Sequence, residues 1–529
     1  MPGLSSADHS VTPPRVEVPR DYNAAHDLLE RNLRAGRQDR IAYIDDAGAY
    51  SFGELAARAN RCGNALLTLG MHPEERVLLC LQDGIDFPSV FLGAIKAGIV
   101  PVAVNTLLPA QDLEHMLRDS RARVAVVSPA LLPRFEAFAH RVPTLQALVV
   151  AGASAGAAAS LPALMAAAPD GLDPAATCCD EACFWIYSSG STGLPKGTVH
   201  RHANLIQVAE HYGRQVLGIA ETDFVFSTAK LFFAYGLGNS LAFPLAHGAA
   251  ALLMAERATP EAVFARLARH RPSLFFAVPT LYASMLAHPD LLAREAMRVR
   301  HFISAGEALP AEVGRRWAAR FGVDVLDGLG STEMLNTFLS NRPGDLRYGT
   351  TGRPVPGYEV RLVDEEGRIL DGGETGELQI RGPSSATAYW NNRERSQATF
   401  LGPWVRSGDK YSRTADGYYV YAGRSDDMLK VSGIYVSPIE VESALVSHEA
   451  VLEAAVVGDT DADGLTKPRA FVVLKDGHRP TPELAEALKR HVKERLAPYK
   501  YPRWVQFIAE LPKTATGKIQ RYKLRASLA

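Results

Sequence analysis

Residues 187–197 read YSSGSTGLPKG. This stretch follows a predicted strand and precedes a predicted helix, which is the usual place of a ligand-binding loop in an α/β protein. Glycine lets backbone N–H groups turn toward an anion, the hydroxyl groups add donors, and Lys196 adds a mobile positive charge. Two residues separate Gly193 from Lys196, so this is not the common nucleoside triphosphatase loop, in which lysine directly follows glycine. A flexible turn has a similar composition. The proline and lysine make a phosphate-binding loop the more specific interpretation.

Around this loop, over residues 183–327, short β-branched or aromatic runs alternate with helical patterns, as parallel strands joined by crossover helices do. A weaker alternation of the same kind covers residues 22–150. The sequence therefore predicts an α/β protein with two doubly wound layers. The predicted strands are residues 183–188, 223–228, 250–254, 273–278, 301–304 and 323–327, and the predicted helices include residues 203–217 and 310–321.

The pattern changes after residue 350 to closely spaced turns and short strands, which predicts a small antiparallel β-barrel or sheet. From residue 426 onward it changes again to a compact α+β unit. We therefore predict a large N-terminal domain of residues 1–425 and a small C-terminal domain of residues 426–529. The C-terminal elements are helices at residues 437–448 and 483–496 and strands at residues 451–459 and 469–476.

The composition is that of a globular enzyme: the 529 residues are 47% hydrophobic and 22% charged. A formal net charge of −1 gives no broad field for nucleic acid or an anionic membrane, so we expect a small-molecule substrate. Five cysteines, few and odd in number, argue against a disulfide scaffold. The N-terminus lacks the basic and apolar regions of a secretory signal, and residues 151–169 are too poor in large apolar side chains to insert in a membrane. We expect a cytoplasmic protein.

Four further strings follow the loop: LGSTE at residues 329–333, SGD at 407–409, GRSDDMLKVSG at 423–433 and PKTATGKIQR at 512–521. Together and in this order, the five strings resemble the acyl-adenylating superfamily, which comprises acyl-CoA synthetases, adenylation domains of peptide synthetases, and luciferases. The resemblance covers about residues 22–528. It implies that the chain activates a carboxylic acid with ATP and Mg²⁺ through an acyl adenylate, and then transfers the acyl group to a thiol.

The resemblance also implies roles for individual residues. Lys518 would bridge the attacking carboxylate and the α-phosphate, Thr332 would donate to the α-phosphate, and Glu333 would ligate Mg²⁺, a hard cation that prefers oxygen ligands. Leu329 stands where the family has an aromatic ring on the adenine, so apolar contact replaces stacking. The other implied residues are Ser188, Ser189, Gly190, Ser191, Thr192, Gly193 and Lys196 for the phosphates, Gly306, Glu307, Asp327 and Ser331 for the nucleotide, Asp409 and Arg424 for the ribose, and Ser432 and Gly433 for coenzyme A.

The C-terminal domain of this family is mobile, and the resemblance implies the same movement here. After adenylation the domain would rotate about a hinge at Asp426, withdraw Lys518, and bring a face around residues 432–435 to line a thiol channel. The thiol of coenzyme A would then attack the acyl adenylate and release AMP.

Two strings, AKLFFAYGLGNSL at residues 229–241 and DGLGSTEMLNTF at 327–338, resemble aryl-CoA ligases, and among them the benzoate–CoA ligases most. Glycine and alanine would leave a flat slot with apolar walls, suited to an unsubstituted or lightly substituted ring. Simple core packing of residues 231–237 is the alternative, and Asn336 would either bind a ring hydroxyl or amine or hold a neighbouring loop. The carried-over pocket residues are Phe233, Ala234, Tyr235, Ala305, Gly328, Gly330, Leu335 and Asn336.

The sequence thus favours a ligase with an aromatic carboxylate, ATP and coenzyme A as partners, and with neither nucleic acid nor a membrane. Three alternatives stay open: a ligase for medium-chain or cyclic aliphatic acids, an adenylating enzyme that loads a carrier protein, and an inactive relative retained for binding. The presence together of Lys196, Glu333, Asp409, Arg424 and Lys518 argues against the last. The sequence does not decide between a monomer and a homodimer.

Overall fold

The computed structural model describes residues 2–154, 156–188, 195–425, 427–431, 434–461, 465–496, 500–513 and 519–528. No helix in this part of the chain is long and apolar enough to cross a membrane. The strands are β1 Ser6–Asp8, β2 Arg15–Glu17, β3 Ile41–Ile44, β4 Ala49–Ser51, β5 Arg76–Cys80, β6 Val100–Ala103, β7 Val124–Val127, β8 Ala147–Val150, β9 Ala159–Ser160, β10 Ala182–Ser188, β11 Lys196–Arg201, β12 Phe224–Ser227, β13 Ala250–Leu252, β14 Leu274–Ala277, β15 His301–Ser304, β16 Val325–Gly330, β17 Thr337–Ser340, β18 Arg353–Pro354, β19 Glu359–Val363, β20 Gly376–Arg381, β21 Ala388–Tyr389, β22 Phe400–Leu401, β23 Trp404–Arg413, β24 Tyr419–Arg424, β25 Leu429–Val431, β26 Ile434–Val436, β27 Val451–Thr460, β28 Thr466–Leu474 and β29 Trp504–Phe507.

The α-helices are α1 Ala24–Arg34, α2 Phe52–Thr68, α3 Asp86–Lys96, α4 Ala110–Ser120, α5 Leu132–Glu136, α6 Leu161–Ala167, α7 Ala203–Val208, α8 Ala234–Leu237, α9 Phe243–His247, α10 Pro260–His270, α11 Pro279–Ala287, α12 Ala311–Phe321, α13 Arg393–Thr399, α14 Pro438–Val446, α15 Pro482–Lys493 and α16 Arg521–Ala526. Short 3₁₀ turns cover Pro129–Leu131, Ala139–Arg141 and Arg294–Ala296, and π-helical turns cover Ala209–Arg214 and Gly238–Ala242.

The first large sheet has eight strands in the order β21-β11-β10-β6-β5-β7-β8-β9. Strands β6 and β7 are wholly buried, which explains their continuous apolar sequence, as expected for parallel strands covered on both faces. Strand β10 runs parallel to β6 and then turns into an antiparallel hairpin with β11. The phosphate-loop candidate therefore lies at the carboxyl end of parallel strands, where open α/β sheets bind ligands.

The second large sheet has nine strands in the order β18-β17-β16-β15-β14-β12-β13-β3-β4. Five of the six predicted strands lie in it, but residues 183–188 form β10 of the first sheet, so the alternation over residues 183–327 does not belong to a single layer. Periodicity identifies a strand without saying which sheet it joins. The predicted helix at residues 203–217 is α-helical only to Val208 and continues as a π-helical turn.

Beyond residue 358, strands β19, β20, β22, β23 and β24 form a five-stranded antiparallel sheet, and β27, β28 and β29 form the sheet of the C-terminal unit. Helices α14 and α15 pack on this last sheet through a core drawn only from residues 429–507. The predicted fold class, two doubly wound α/β layers with a small antiparallel β unit and a C-terminal α+β unit, is confirmed. The boundary between residues 425 and 426 stays a prediction.

A buried ion pair holds the end of the C-terminal unit together. Arg521 of α16 donates to both carboxylate oxygens of Glu442 on α14, at 2.9 and 2.8 Å, and Val456 N of β27 donates to the same carboxylate at 2.7 Å. Burial opposes the charge on Arg521, but the Glu442 carboxylate outweighs burial and raises the pKa of the guanidinium. One carboxylate thus joins two helices and a strand.

We expect Arg521→Met to destabilise the C-terminal unit by about 3–5 kcal/mol, because the variant leaves Glu442 buried without its cation. Amide hydrogen exchange of residues 438–528 measures this loss. Arg525→Met is the matched control, since Arg525 is half-exposed and pairs with Asp427 at 2.8 Å; that variant should cost no more than about 1 kcal/mol. Equal protection in the two variants would contradict a stabilising role for the buried pair.

Candidate active site

The phosphate-loop candidate connects the two strands of a hairpin. Ser188 ends β10 and faces Lys196, the first residue of β11, across the hairpin. The predicted helix after the loop begins at Ala203, as expected, but strand β11, which the sequence pattern did not predict, lies between the loop and that helix. The Oγ atom of Ser188 is buried and has no hydrogen-bond partner among the described residues. This hydroxyl is available to a ligand at the base of the loop.

Lys196 and Glu333, which are 137 residues apart, meet at one tyrosine. The ammonium group of Lys196 lies 4.3 Å from the ring centre of Tyr389, and the hydroxyl of that tyrosine donates to Glu333 Oε1 at 2.7 Å. Burial lowers the pKa of Lys196, an effect that Glu333 partly offsets. Burial and the Glu333 carboxylate raise the pKa of Tyr389, so its hydroxyl keeps its proton and remains a donor. The predicted phosphate and metal residues are thus adjacent.

Residues 331–336 connect β16 to β17, and we call them the STE turn. Ser331 Oγ accepts a hydrogen bond from Met334 N at 3.2 Å, so this side chain also shapes the turn that carries Thr332 and Glu333. Leu335 is buried with φ of +67°, in the left-handed region that disfavours a branched side chain. A Cβ atom at Gly330 would lie 2.6 Å from the carbonyl oxygen of Asn336. Tertiary contacts therefore impose this turn.

Asn336, at the other end of the STE turn, holds the segment that carries the predicted ring pocket. Its Nδ2 donates to the carbonyls of Ala234 and Tyr235 at 3.2 and 3.3 Å, and its Oδ1 accepts from Thr337 N at 2.7 Å. Gly238 leaves room for it, because a Cβ atom there would lie 2.0 Å from Nδ2. Of the two roles open to Asn336, this geometry is that of a brace between two loops.

The walls of the predicted ring pocket are apolar. Phe233 packs on Phe232 with ring centres 4.6 Å apart, and Tyr235 packs edge-on against Phe276 at 6.2 Å. The Tyr235 hydroxyl is directed to the Ile303 carbonyl at 3.5 Å, and burial raises its pKa far above the usual range. The other pocket residues are Ala234 at the start of α8, Ala305 directly after β15, and Gly328 and Gly330 on β16.

The carboxyl ends of β15 and β16 place Ser304 and Asp327 side by side. Within the described ranges, Ser304 Oγ and Asp327 Oδ1 are buried and make no hydrogen bond of ordinary geometry, although Ser304 and the backbone of Leu309 and Gly328 lie close enough to favour the charged carboxylate. Burial raises the pKa of the Asp327 carboxyl well above its usual range. Gly306 follows with φ of +95°, a conformation suited to glycine, and Glu307 comes next. Such unpartnered groups suit a polar ligand at this edge of the sheet.

Asp409 and Arg424 face each other across β23 and β24, with Oδ1 and Nη1 3.3 Å apart. Arg424 also contributes to lowering the pKa of Lys196, so the two cations share one electrostatic environment. Burial raises the pKa of Tyr411, and the charges of Asp409 and, more weakly, Asp327 raise it further. Tyr411 therefore lies near both the Asp409–Arg424 pair and the edge of the second sheet that carries Asp327. The predicted ribose residues therefore lie close to the predicted nucleotide residues.

Residues 29–390 match the family model described as AMP-binding enzyme, and residues 440–518 match the AMP-binding enzyme C-terminal domain. The chain belongs to the AMP-binding enzyme family. The two matches fall in the large domain and in the C-terminal unit; they include the strings at residues 187–197 and 329–333 and the first seven residues of the string at 512–521, but neither the SGD string nor the hinge string at residues 423–433.

Three relatives of this AMP-binding enzyme are the most informative. The benzoate–CoA ligase of Thauera aromatica is 64% identical over 526 residues, which cover 99% of each chain. The structure of a benzoate CoA ligase from Burkholderia xenovorans LB400 is 56% identical with a TM-score of 0.90, and the match covers 95% of this chain and 100% of that one. The structure of the anthranilate CoA ligase AuaEII in complex with anthranoyl-AMP is 43% identical with a TM-score of 0.93. That match covers 97% of this chain and 98% of the other.

Sequence reasoning missed two residues of the AMP-binding enzyme's site, Tyr389 and His200. Both lie on strands of the first sheet, β21 and β11, which pair with each other. Tyr389 follows a short run of small and polar residues that resembles an ordinary loop, and His200 was not distinguished from a core histidine. The remaining predicted residues lie outside the described ranges: Ser189, Gly190, Ser191, Thr192, Gly193, Asp426, Ser432, Gly433 and Lys518.

Asn336→Ala tests the brace. We expect a loss of about 1–3 kcal/mol of stability for each buried group left without a partner, and about a 10-fold loss of kcat/KM for the acid because the pocket segment is misplaced. The KM for ATP should stay within about twofold of the wild-type value, well short of the tenfold that 1.4 kcal/mol represents. Asn32→Ala is the matched control: Asn32 is also buried and donates to two carbonyls, at 2.8 and 2.7 Å, outside the site. Equal losses of kcat/KM for the acid in both variants would contradict the role of Asn336 as a brace for the pocket segment.

Proposed function

We propose that this chain is a Mg²⁺- and ATP-dependent benzoate–CoA ligase that forms benzoyl adenylate and pyrophosphate, and then benzoyl-CoA and AMP. The full-length similarity to benzoate–CoA ligases supports the proposal. An aromatic degradation route is the setting that this reaction fits. A cytoplasmic location is part of the proposal, and the near-neutral net charge gives no broad field that would favour nucleic acid or an anionic membrane as a partner.

One observation carries the proposal: the STE turn joins the phosphate side of the site to the acid side. At one end Glu333 meets Tyr389 and Lys196, and at the other Asn336 holds the backbone of the ring-pocket segment. Because only two residues separate Glu333 from Asn336, a carboxylate bound beside the pocket segment would lie close to phosphates bound near Glu333 and Lys196. Such proximity lowers the entropic part of the activation free energy, because the two reactants are already held together before the reaction step.

A Mg²⁺ ion fits this end of the STE turn. Glu333 supplies carboxylate oxygen, the ligand type this cation prefers, and Tyr389 fixes the orientation of that carboxylate from one side. Glu333, together with phosphate oxygens, would hold the ion. When bound, Mg²⁺ neutralises phosphate charge and makes pyrophosphate a better leaving group.

The chain's own residues account for the two half-reactions. In the first, a carboxylate oxygen of benzoate attacks the α-phosphorus, the bond to pyrophosphate breaks, and Lys196, Thr332 and Lys518 stabilise the negative charge. In the second, the thiol of coenzyme A loses its proton and attacks the acyl carbon, and AMP leaves. Movement of the C-terminal domain about Asp426 would remove Lys518 and open the thiol channel between the two steps.

The residues of the predicted pocket favour an unsubstituted ring. They are mostly aromatic, aliphatic or glycine, and the amide of Asn336 already bonds three neighbours, so it is not available to a ring hydroxyl or amine. Apolar pockets discriminate weakly, with about 1–3 kcal/mol for one methylene. Small ring analogues should therefore react, more slowly than benzoate.

A competition assay tests the function. The purified protein is given ATP, Mg²⁺, coenzyme A and an equimolar mixture of benzoate, hydroxybenzoates, 2-aminobenzoate, hexanoate and cyclohexanecarboxylate, and thioesters are identified by mass spectrometry. Benzoyl-CoA should dominate. Aliphatic thioesters would retain the mechanism and overturn the pocket, and AMP without any thioester would indicate a carrier-loading enzyme. Light scattering decides between a monomer and a homodimer.

A further inference from the structure

Hydrogen bonds from residues outside the five sequence motifs hold the STE turn against the first sheet and the segment beside it. The carbonyl oxygen of Thr332 lies 2.8 Å from His200 Nε2 on β11, and that of Glu333 accepts from Ala386 N at 2.8 Å. Tyr389 of β21 adds the hydrogen bond to the Glu333 carboxylate. Thr332 is therefore hydrogen-bonded to β11, and Glu333 is hydrogen-bonded to Ala386 in the segment that precedes β21.

His200 has a defined orientation and charge state. Its Nδ1 accepts from Asn204 Nδ2 at 2.9 Å, so Nε2 carries the proton and donates to Thr332. Burial lowers the pKa of His200 to about 4, which keeps the ring neutral at pH 7. The ring also stacks on Phe184 of β10, with centres 5.1 Å apart and planes 15° apart. Stacking and two hydrogen bonds leave the imidazole a single position.

Packing alone does not account for a histidine here. The side chain is wholly buried, and a buried polar ring is costly unless both nitrogens have partners. An aliphatic residue of similar size would fill the space without that cost. What a histidine adds is a donor aimed at a backbone carbonyl in the STE turn, next to the residue proposed to hold Mg²⁺.

Resting on the proposed function, we propose that His200 is a positioning residue for adenylation: its Nε2–H fixes Thr332 and Glu333 in register with Lys196 on the same strand. Lys196, on the same strand as His200, and the STE turn are then held in a fixed relation, so that both can meet the α-phosphate at once. Its effect is exerted through Thr332 and not by contact with substrate.

The test compares His200→Leu, which removes the donor, with His200→Gln, whose amide can donate at a similar reach. His202→Leu is the matched control, because His202 is also buried at the end of the same strand region but accepts from Ala24 N at 3.1 Å, away from the turn. Each variant is measured for equilibrium binding of an ATP analogue that cannot react, for KM and kcat of adenylation, for the thioester half-reaction from saturating benzoyl adenylate, and for thermal midpoint. His200→Phe, which keeps a ring against Phe184, replaces the leucine variant if that protein does not fold.

We expect His200→Leu to weaken analogue binding and slow adenylation by about 10-fold each, the loss of one buried hydrogen bond. The KM for benzoate and the thioester half-reaction should change by less than about threefold, well under the tenfold that 1.4 kcal/mol represents. His200→Gln should recover most of the loss, and His202→Leu should lower only the thermal midpoint. The proposal is overturned if His200→Leu keeps wild-type nucleotide parameters, or if all three variants lose both half-reactions equally. A wild-type enzyme that makes no benzoyl-CoA would refute the function while leaving the nucleotide-binding comparison intact.

Discussion

Lys518→Ala is expected to reduce benzoyl-adenylate formation by about 10²- to 10³-fold, the usual effect of removing one preorganised charge from a transition state. Thioester formation from supplied benzoyl adenylate should stay close to wild type, because the proposed mechanism withdraws Lys518 before the thiol attacks. Pyrophosphate release measures the first half-reaction, and benzoyl-CoA formed from synthetic benzoyl adenylate measures the second. The contrast between the two rates is the informative quantity.

The described residues that flank this lysine in the chain, Lys513 and Ile519, make contacts that do not involve its side chain, so we expect the variant to fold. Lys513 and Ile519 form a β-bridge, and Lys513 Nζ donates to both carboxylate oxygens of Glu453 at 2.6 and 2.8 Å. The matched control is Lys523→Ala, which removes the same charge from an exposed position on α16 and should leave both half-reactions unchanged. Equal losses in both half-reactions for Lys518→Ala would refute the assignment of the lysine to adenylation alone.

Local sequence patterns were sufficient to predict strands both in the large domain and in the C-terminal unit. The strands at residues 301–304 and 451–459 are apolar or β-branched runs whose burial leaves little choice of structure, and both are present. The resemblance of short strings to the acyl-adenylating superfamily identified Lys196 and Glu333 as candidate site residues. Neither pattern says which sheet a strand joins, so the sequence did not predict that β10 belongs to the first sheet and the other five strands to the second.

The parts of the site that the sequence did not predict depend on pairing between distant segments. Thr198 of β11 is aligned with Tyr389 of β21, 191 residues later, and this pairing brings Tyr389 to Lys196 and Glu333. Hydrophobic periodicity contains no information on such register. The role of Asn336 is of the same kind, since the carbonyls it holds lie about 100 residues earlier in the chain. The sequence left two roles open for Asn336, a ligand contact or a brace, and the geometry is that of a brace.

Glu333→Gln separates the charge of this side chain from its shape. Glutamine retains an oxygen that can accept from the Tyr389 hydroxyl, and the backbone bond from Ala386 N is unaffected, so the STE turn should keep its conformation. The variant loses only the negative charge that the proposed Mg²⁺ site requires. We expect kcat/KM for ATP to fall by about 10²- to 10³-fold, as for other charge-stabilising groups.

The direct readout is nucleotide binding with and without Mg²⁺, measured without turnover. Wild-type protein should bind ATP more tightly when Mg²⁺ is present, and Glu333→Gln should lose this difference while its Mg²⁺-free affinity stays the same or improves, because one negative charge near the phosphates has been removed. Glu359→Gln is the control: this glutamate is exposed on β19 and lies 3.7 Å from Arg381. If Glu333→Gln retained the full Mg²⁺ effect, the carboxylate would serve only to hold Tyr389. In that case Tyr389→Phe, which leaves Glu333 charged but unanchored, should impair the enzyme as much as Glu333→Gln does; if instead charge is what matters, Tyr389→Phe should show the smaller loss.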